Sequence, residues 1–346
     1  MKTKVLKFGG SSLSSKQTID NCKNIIMQNS VSQIIVVSAF GKNNITDQKL
    51  TDLLIDCVKA NLSKNNFDEE FDAVKNKIKN ICNDLKININ IKKELKKIKK
   101  QYILSNDADF LISRGEYLTA KILSKYYKIP FIDAKNIMFF SEYKPNYIKI
   151  KNILQKILKI NKKIIVPGFY GTNNNNVFIF SRGGSDVSGA IIAKAYGVKI
   201  YENFTDVCGV KPINPKVCDT PLTIKKISYN DMQTMASFDA NVLHPDCCKI
   251  LQHTNVKTYI LNSCKPNDAK TIVQKHTKKI FYVCFVCQGQ KSIVYVKGKN
   301  KNLVKIVDCL KSYNVTFPEF CDNHLSILCN KKQKQIIMKK CFLNIL

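Results

Sequence analysis

The sequence predicts an α/β fold: a mostly parallel central sheet with helices on both faces, followed by a small, separate α+β unit. Three observations predict it. Strand-like runs alternate with helical patterns from residue 4 to about residue 260. One run, QIIVVSAFG (33–41), is continuously apolar, the pattern of a strand covered on both faces. Near residue 270 the character changes, and residues 280–346 hold their own apolar strands and lysine-rich helices, which places a boundary at about 270–280.

The elements follow in order. KVLKF (4–8) alternates like a strand and runs into GGSS, and residues 15–28 read as a helix. After the apolar run comes a polar loop, then a helix over 50–62. Residues 67–104 read as two surface helices and 108–127 as one long amphipathic helix. IPFID (129–133) predicts a strand, 148–160 a helix, KIIVPGFYG (163–171) a strand ending in a turn, and NNNNVFIFS (173–181) a hairpin-like loop and strand. Asp186–Tyr196 is expected as a helix, 198–207 to begin with a strand, 228–252 to give two helices and 256–261 another strand. The last 65 or so residues suggest a βαββα-like unit: FYVCFVC, SIVYV, a helix over 300–312, VTFPEF, LSILC and a final helix.

Composition excludes several classes. At 346 residues and 45% hydrophobic, the chain can bury a large core. It has no run of 18 apolar residues, and MKTKVLKFGGSS lacks an apolar signal region, so a membrane or export role is not expected. Fourteen cysteines in such a chain suggest free thiols in a reducing cytoplasm. CFVC (284–287) reads as buried small hydrophobes, and no metal site is expected. The net charge of +30 invites a nucleic-acid reading, but the charge is spread lysine on solvated helix faces, without arginine forks or interleaved aromatics, so no nucleic-acid partner is expected.

The candidate residues gather at strand ends, where ligands sit in parallel sheets. KFGGSS sets Lys7 just before Gly9-Gly10, where a strand turns toward a helix; the glycines admit a polyphosphate and Lys7 can reach its oxygens, unless this is only a turn beside a surface lysine. It is not a Walker A loop. Among 56 Lys and Arg there are only two arginines, Arg114 in SRGE and Arg182 in SRGGSD. Arginine offers a planar fork that lysine cannot, so Arg182 is expected to hold a ligand carboxylate or to be locked in a pair with Glu116 or Asp186. Arg114 reads as structural. Glu116 would answer a substrate ammonium if it faces the sheet end, or else a neighbour on its own helix. Asp186 caps or opens a helix. Thr205-Asp206 follow a strand and could meet a ribose, or simply cap a turn. His244 reads as packing.

KFGGSS, VVSAFGK with LTDLL, SRGE, PGFYG, SRGGSD, ENFTDVCGV and FDANVLHPD, in this order over residues 4–245, together resemble the aspartokinase branch of the amino acid kinase family. The resemblance implies an amino-acid-kinase-like sandwich over 1–272 and, over 280–346, a single shortened ACT-like regulatory domain. It implies phosphorylation of the β-carboxylate of L-aspartate by ATP with Mg2+, the first step toward lysine and diaminopimelate, threonine and methionine. By the same resemblance Lys7 and Asp186 are catalytic, Lys7 stabilising the transferring phosphoryl group and Asp186 orienting the cations. Ser38, Thr51, Glu116, Phe169, Arg182 and Ser185 line the aspartate site, with Arg182 on the α-carboxylate and Glu116 on the α-ammonium. Lys7, Gly9, Gly10, Ser11, Thr205, Asp206, Lys211 and Lys216 face the nucleotide. Lys211 stands where relatives often have tyrosine, Lys216 where they have arginine, and Asn241 where lysine is frequent. ACT units commonly pair, so a homodimer through the C-terminal domain is implied. A non-catalytic amino-acid sensor and a kinase of another family branch are the competing readings; keeping Lys7, Glu116, Arg182 and Asp186 together argues against the first.

Overall fold

Val5, Leu6 and Phe8 are fully buried along β1 (Thr3–Phe8), so this strand lies inside a sheet and not at its edge. The structure, a computed structural model, describes residues 3–28, 30–64, 66–181, 183–219, 222–238, 240, 242–278, 280–321 and 323–345. Arg182 and Asn241 lie outside the described residues. Helix α1 (Lys16–Met27) starts at Ser15, whose hydroxyl accepts the Thr18 N–H while Thr18 answers the Ser15 N–H, a reciprocal cap. β2 (Ser32–Val37) is buried at every position, as its apolar run requires. Helices α2 (Leu50–Leu62), α3 (Phe67–Asp84), α4 (Ile91–Ser105) and α5 (Ala108–Tyr127) follow. The lysine-rich α3 and α4 bury one stripe each, Phe71, Val74 and Ile78 on the first and Leu95, Ile98 and Tyr102 on the second.

The expected strand over 129–133 is reduced to one bridge, Phe131 with Ile165. Pro130 has no N–H to extend the ladder, and the Ile129 N–H is used by Ser124 of the preceding helix. Two short strands not foreseen, β3 (Phe139–Ser141) and β4 (Lys144–Pro145), come next, then α6 (Tyr147–Ile160) and β5 (Lys163–Pro167). The predicted hairpin exists: β6 (Tyr170–Asn173) and β7 (Asn176–Ile179) are antiparallel, joined by Asn174 and Asn175 at φ +48° and +66°, as a tight two-residue turn demands. Helix α7 (Gly184–Tyr196) begins two residues earlier than expected, because Gly183 at φ +82° takes the cap position; Asp186 therefore lies inside the first turn instead of capping it.

After β8 (Ile200–Thr205) the chain forms β9 (Lys226–Ser228), α8 (Tyr229–Phe238), α9 (Pro245–Leu251) and β10 (Lys257–Asn262). His244 is a cap and not a packing residue, its Nδ1 accepting the Asp246 N–H at the start of α9. Two compact units result: Met1–Asp206 with Thr254–Asn267, and Val207–His253 with Asp268–Leu346. In the first, five strands run parallel in the order β5-β2-β1-β8-β10, with β4-β3-β6-β7 as a small second sheet. In the second, β11 (Thr271–Gln274) pairs in parallel with β9.

The C-terminal part of that unit holds β12 (Tyr282–Gln288), β13 (Lys291–Lys297), α10 (Asn300–Cys309), β14 (Thr316–Cys321), β15 (His324–Asn330) and α11 (Lys334–Ile345). The order is ββαββα, with a strand at each of the four expected runs, the first two pairing as a hairpin through Gly289 at φ +60°. The sheet is antiparallel throughout, in the order β12-β13-β15-β14, and both helices bury Leu303, Ile306, Ile337 and Phe342 against Val294, Val296 and Ile327. This small α+β domain is ACT-like. The CFVC pair is split: Cys284 is buried but Cys287 is exposed, since residues three apart on a strand face opposite sides. Among the described residues no helix is long and apolar enough to cross a membrane.

Candidate functional site

The site is built where β1, β2, β5 and β8 end. Lys7, next to last in β1, places its ammonium 2.7 Å from Asp186 Oδ1, and only 11% of either side chain is exposed. A pair so buried loses much hydration and needs further hydrogen bonds. Asn203, the register partner of Lys7 on β8, supplies one through its Nδ2, 3.0 Å from the same Asp186 oxygen. Gly9 sits against this pair: a Cβ there would lie 3.4 Å from Lys7 Nζ. Its N–H is committed to Phe204 O at 3.1 Å, so Gly9 contributes open space and not a free donor.

Gly10 opens the short 3-10 turn over Ser11–Leu13 and meets the loop after β2 backbone to backbone. A Cβ on Gly41 would fall 2.2 Å from Gly10 O. Gly41→Ala must therefore push the two loops apart. Overpacking of this kind costs about 1–3 kcal/mol, so thermal unfolding should show a melting temperature several degrees below wild type; an unchanged transition would contradict the loop crossing.

The loop after β2 is stapled to α5. The Ala39 N–H donates to Glu116 Oε1 at 3.1 Å, and the Phe40 N–H to Thr119 Oγ1 at 3.0 Å, which itself donates to Gly115 O. Gly115 allows the close approach, since a Cβ would lie 3.2 Å from both the Ala39 methyl and the Thr51 methyl. Thr51, Ser38 and Glu116 are thereby gathered around one turn. Glu116 is 4% exposed, and its Oε2 has no hydrogen-bond partner among the described residues. Burial pushes its carboxyl up to about 8, against the opposing pull of the Ala39 N–H.

The third wall comes from β5 and α7. The Gly168 N–H bonds Val37 O at 2.9 Å, and a Cβ on Gly168 would lie 2.7 Å from the Ser185 Cβ. Phe169 holds φ +75°, a conformation costly for a bulky residue. Ser188 fixes it by accepting the Phe169 N–H at 2.9 Å, and Phe180 donates to its carbonyl. Contacts thus run without a break from Lys7 through Asp186, Ser185 and Gly168 to the Ser38–Ala39 turn and Glu116. Thr205 and Asp206 close the β8 side: the Thr205 hydroxyl donates to Asp206 Oδ1, and the Asn262 amide holds Asp206 O.

Sequence reasoning placed most of these residues but missed Asn203, Thr119 and Ser188. Asn203 left one trace, a polar residue inside the strand run IYENFT; Thr119 and Ser188 left none, being neutral side chains on helices. Arg114 is structural. It is buried, bonds Ser113 Oγ, and stacks on Phe110, Tyr117 and Tyr170 at 4.6, 4.6 and 5.2 Å, with no carboxylate partner among the described residues. Lys211 and Lys216 belong to the second unit. Lys211 donates to Thr223 Oγ1 and lines a mostly apolar cavity of about 470 Å³ with Cys208, Val210, Pro215, Met235 and Val242; Lys216 is exposed beyond it.

Residues 2–262 match the model of the amino acid kinase family. Aspartokinase 3 of Bacillus subtilis is 30% identical over 78% of this chain, and the aspartokinase of Rickettsia felis 26% identical over 82%. The aligned chain spans 63% and 69% of those relatives' lengths. The aspartate kinase of Clostridium acetobutylicum superposes with a TM-score of 0.83 at 26% identity, over 99% of this chain and all of that one. Aspartokinase III of Escherichia coli, solved with aspartate and ADP, shares the fold at a TM-score of 0.82 and 16% identity, over 99% of this chain and all of that one.

Proposed function

Because this chain belongs to the amino acid kinase family, we propose that it is an aspartate kinase, which transfers the γ-phosphoryl group of Mg-ATP to the β-carboxylate of L-aspartate. The observation that carries this reading is Glu116, a buried carboxyl with one oxygen unpartnered among the described residues, on the same wall as Ser38 and Thr51. A substrate ammonium is its natural complement, and a nucleotide acceptor has none to offer. The aspartokinase names of the relatives support the same substrate.

In this reading the acceptor is already an anion and needs no general base. The difficulty is electrostatic: a carboxylate must approach a polyanion, so positioning and preorganised positive donors do the chemistry. Lys7 meets the transferring phosphoryl oxygens. Gly10 and Ser11 present the phosphate loop, and Gly9 leaves it room. Asp186, braced by Asn203, keeps Lys7 in place before the nucleotide arrives. Ser38, Thr51, Phe169 and Ser185 line the aspartate, Glu116 takes its ammonium and Arg182 its α-carboxylate. Thr205 and Asp206 serve the nucleotide; Mg2+ would arrive with the nucleotide and offset phosphate charge, while Asp186 is engaged by Lys7. The catalytic part is 1–272, the ACT-like part 280–346, and the chain pairs through the latter as a homodimer.

Steady-state kinetics test the assignment. ADP should appear only when aspartate is added, not with glutamate or uridylate. Arg182→Lys should raise KM for aspartate at least about tenfold, the scale for losing hydrogen bonds to a charged group, and leave KM for ATP nearly unchanged. Equal effects on both constants would remove Arg182 from the carboxylate.

A further inference from the structure

The hairpin of β14 and β15 carries a cluster that phosphoryl transfer does not use. Cys321 and His324 are directly opposed across the turn, and Glu319, two residues before Cys321, lies on the same face because strand side chains alternate. One ligand atom from each lies within 4.8 Å of the other two. We propose that Glu319, Cys321 and His324 form a binding site for a divalent cation of the zinc class, with water as the fourth ligand.

The donor set is borderline-soft, one sulfur, one imidazole and one carboxylate, the mixture zinc accepts. The spacing fits as well. Tetrahedral zinc at about 2.0–2.1 Å from nitrogen and oxygen holds them roughly 3.3 Å apart, and His324 Nε2 stands 3.0 Å from Glu319 Oε1. His324 Nδ1 is 3.0 Å from Asn323 Oδ1. When Nδ1–H donates there, Nε2 turns a lone pair on the carboxylate, and a divalent cation can bridge the two acceptors in the place a proton would otherwise take. Fixing one ring nitrogen through an amide oxygen is how zinc histidines are commonly oriented. The surroundings hold the ligands still: Tyr295 stacks on the His324 ring at 5.4 Å, and the Ser326 hydroxyl donates to Glu319 Oε2. Lys297, the register partner of His324, is neutralised by Asp231 at 2.5 Å. On binding, the Cys321 thiol gives its proton to solvent and the thiolate bonds the metal.

The test uses the full chain, stripped with chelator and titrated with Co2+ as probe, then with Zn2+ as competitor. The expected result is one equivalent of tetrahedral cobalt with a thiolate-to-metal charge-transfer band, displaced by zinc. Cys321→Ser should abolish that band and His324→Ala should weaken binding, while Cys264→Ser, an exposed thiol of the other unit, should change nothing. Asn323→Ala should weaken binding about ten- to a hundredfold, as outer-shell partners do. Cys321, Asn323 and Cys264 are exposed and His324 is half-buried, so circular dichroism checks that each variant keeps its fold. A wild-type chain without the tetrahedral spectrum, or binding equal in wild type, Cys321→Ser and His324→Ala, overturns the site.

Discussion

Replacing Lys7 with alanine should lower kcat about a hundredfold or more, the scale for losing one preorganised charge donor at a transferring group. KM for aspartate should move little, because Lys7 is placed against Asp186 and Gly9, while Ser38, Thr51 and Glu116 hold the aspartate in this reading. The variant will also lose stability, since removing one partner of a buried pair strands the other and costs about 3–5 kcal/mol. Adding Asp186→Asn separates the two effects. The double variant carries no stranded charge, so its unfolding transition should recover toward wild type while turnover stays low. Recovery of turnover along with stability would make Lys7 a structural lysine.

The second large effect belongs to Glu116. Glu116→Gln should raise KM for aspartate roughly ten- to a hundredfold, since hydrogen bonds to charged groups contribute about 1.5–3 kcal/mol. The wild-type pH profile carries a further signature. Burial raises this carboxyl from 4.5 to about 8, so in the free protein it is protonated at neutral pH. It must give up that proton to receive an ammonium, and KM for aspartate should fall as pH rises toward 8. Stability moves the opposite way. Between pH 4.5 and 8 the folded state holds a proton that the unfolded state has lost, so stability declines as pH rises through this window and is level above it. One proton amounts to at most about 1.4 kcal/mol per pH unit. Denaturant titrations of wild type and Glu116→Gln at several pH values should diverge across this window, and parallel curves would mean that Glu116 is not a buried acid.

The sequence was most readable where a residue departed from its background. Two arginines among so many lysines marked the SRGE and SRGGSD segments, and the first led to the buried Glu116 although Arg114 itself bonds Ser113 and packs among aromatic rings. Glycines at strand ends marked the loop crossing at Gly10 and Gly41, and the continuous apolar run named a strand buried on both faces. Less readable was anything short or neutral. β3, β4, β9 and β11 span two to four residues each, too few for a period of two to emerge. The start of α7 was misplaced because glycine is a poor helix former, and here its missing side chain is what lets the helix approach Phe169 and Phe180. Thr119, Ser188 and Asn203 shape the site by hydrogen bonds to Phe40, Phe169 and Asp186, partners 17 to 79 residues away in sequence, which a local pattern does not identify.

The account rests on a carboxylate accepting phosphate in a site that grips an amino acid at both ends. Trapping the product with hydroxylamine tests this most directly, because hydroxylamine converts an acyl phosphate to a coloured hydroxamate and leaves phosphate esters untouched. Incubation with Mg-ATP and aspartate should give hydroxamate in proportion to ADP, none with glutamate or without acceptor, and almost none from the Lys7→Ala chain. ADP formed without hydroxamate, or hydroxamate formed equally well from glutamate, would contradict it.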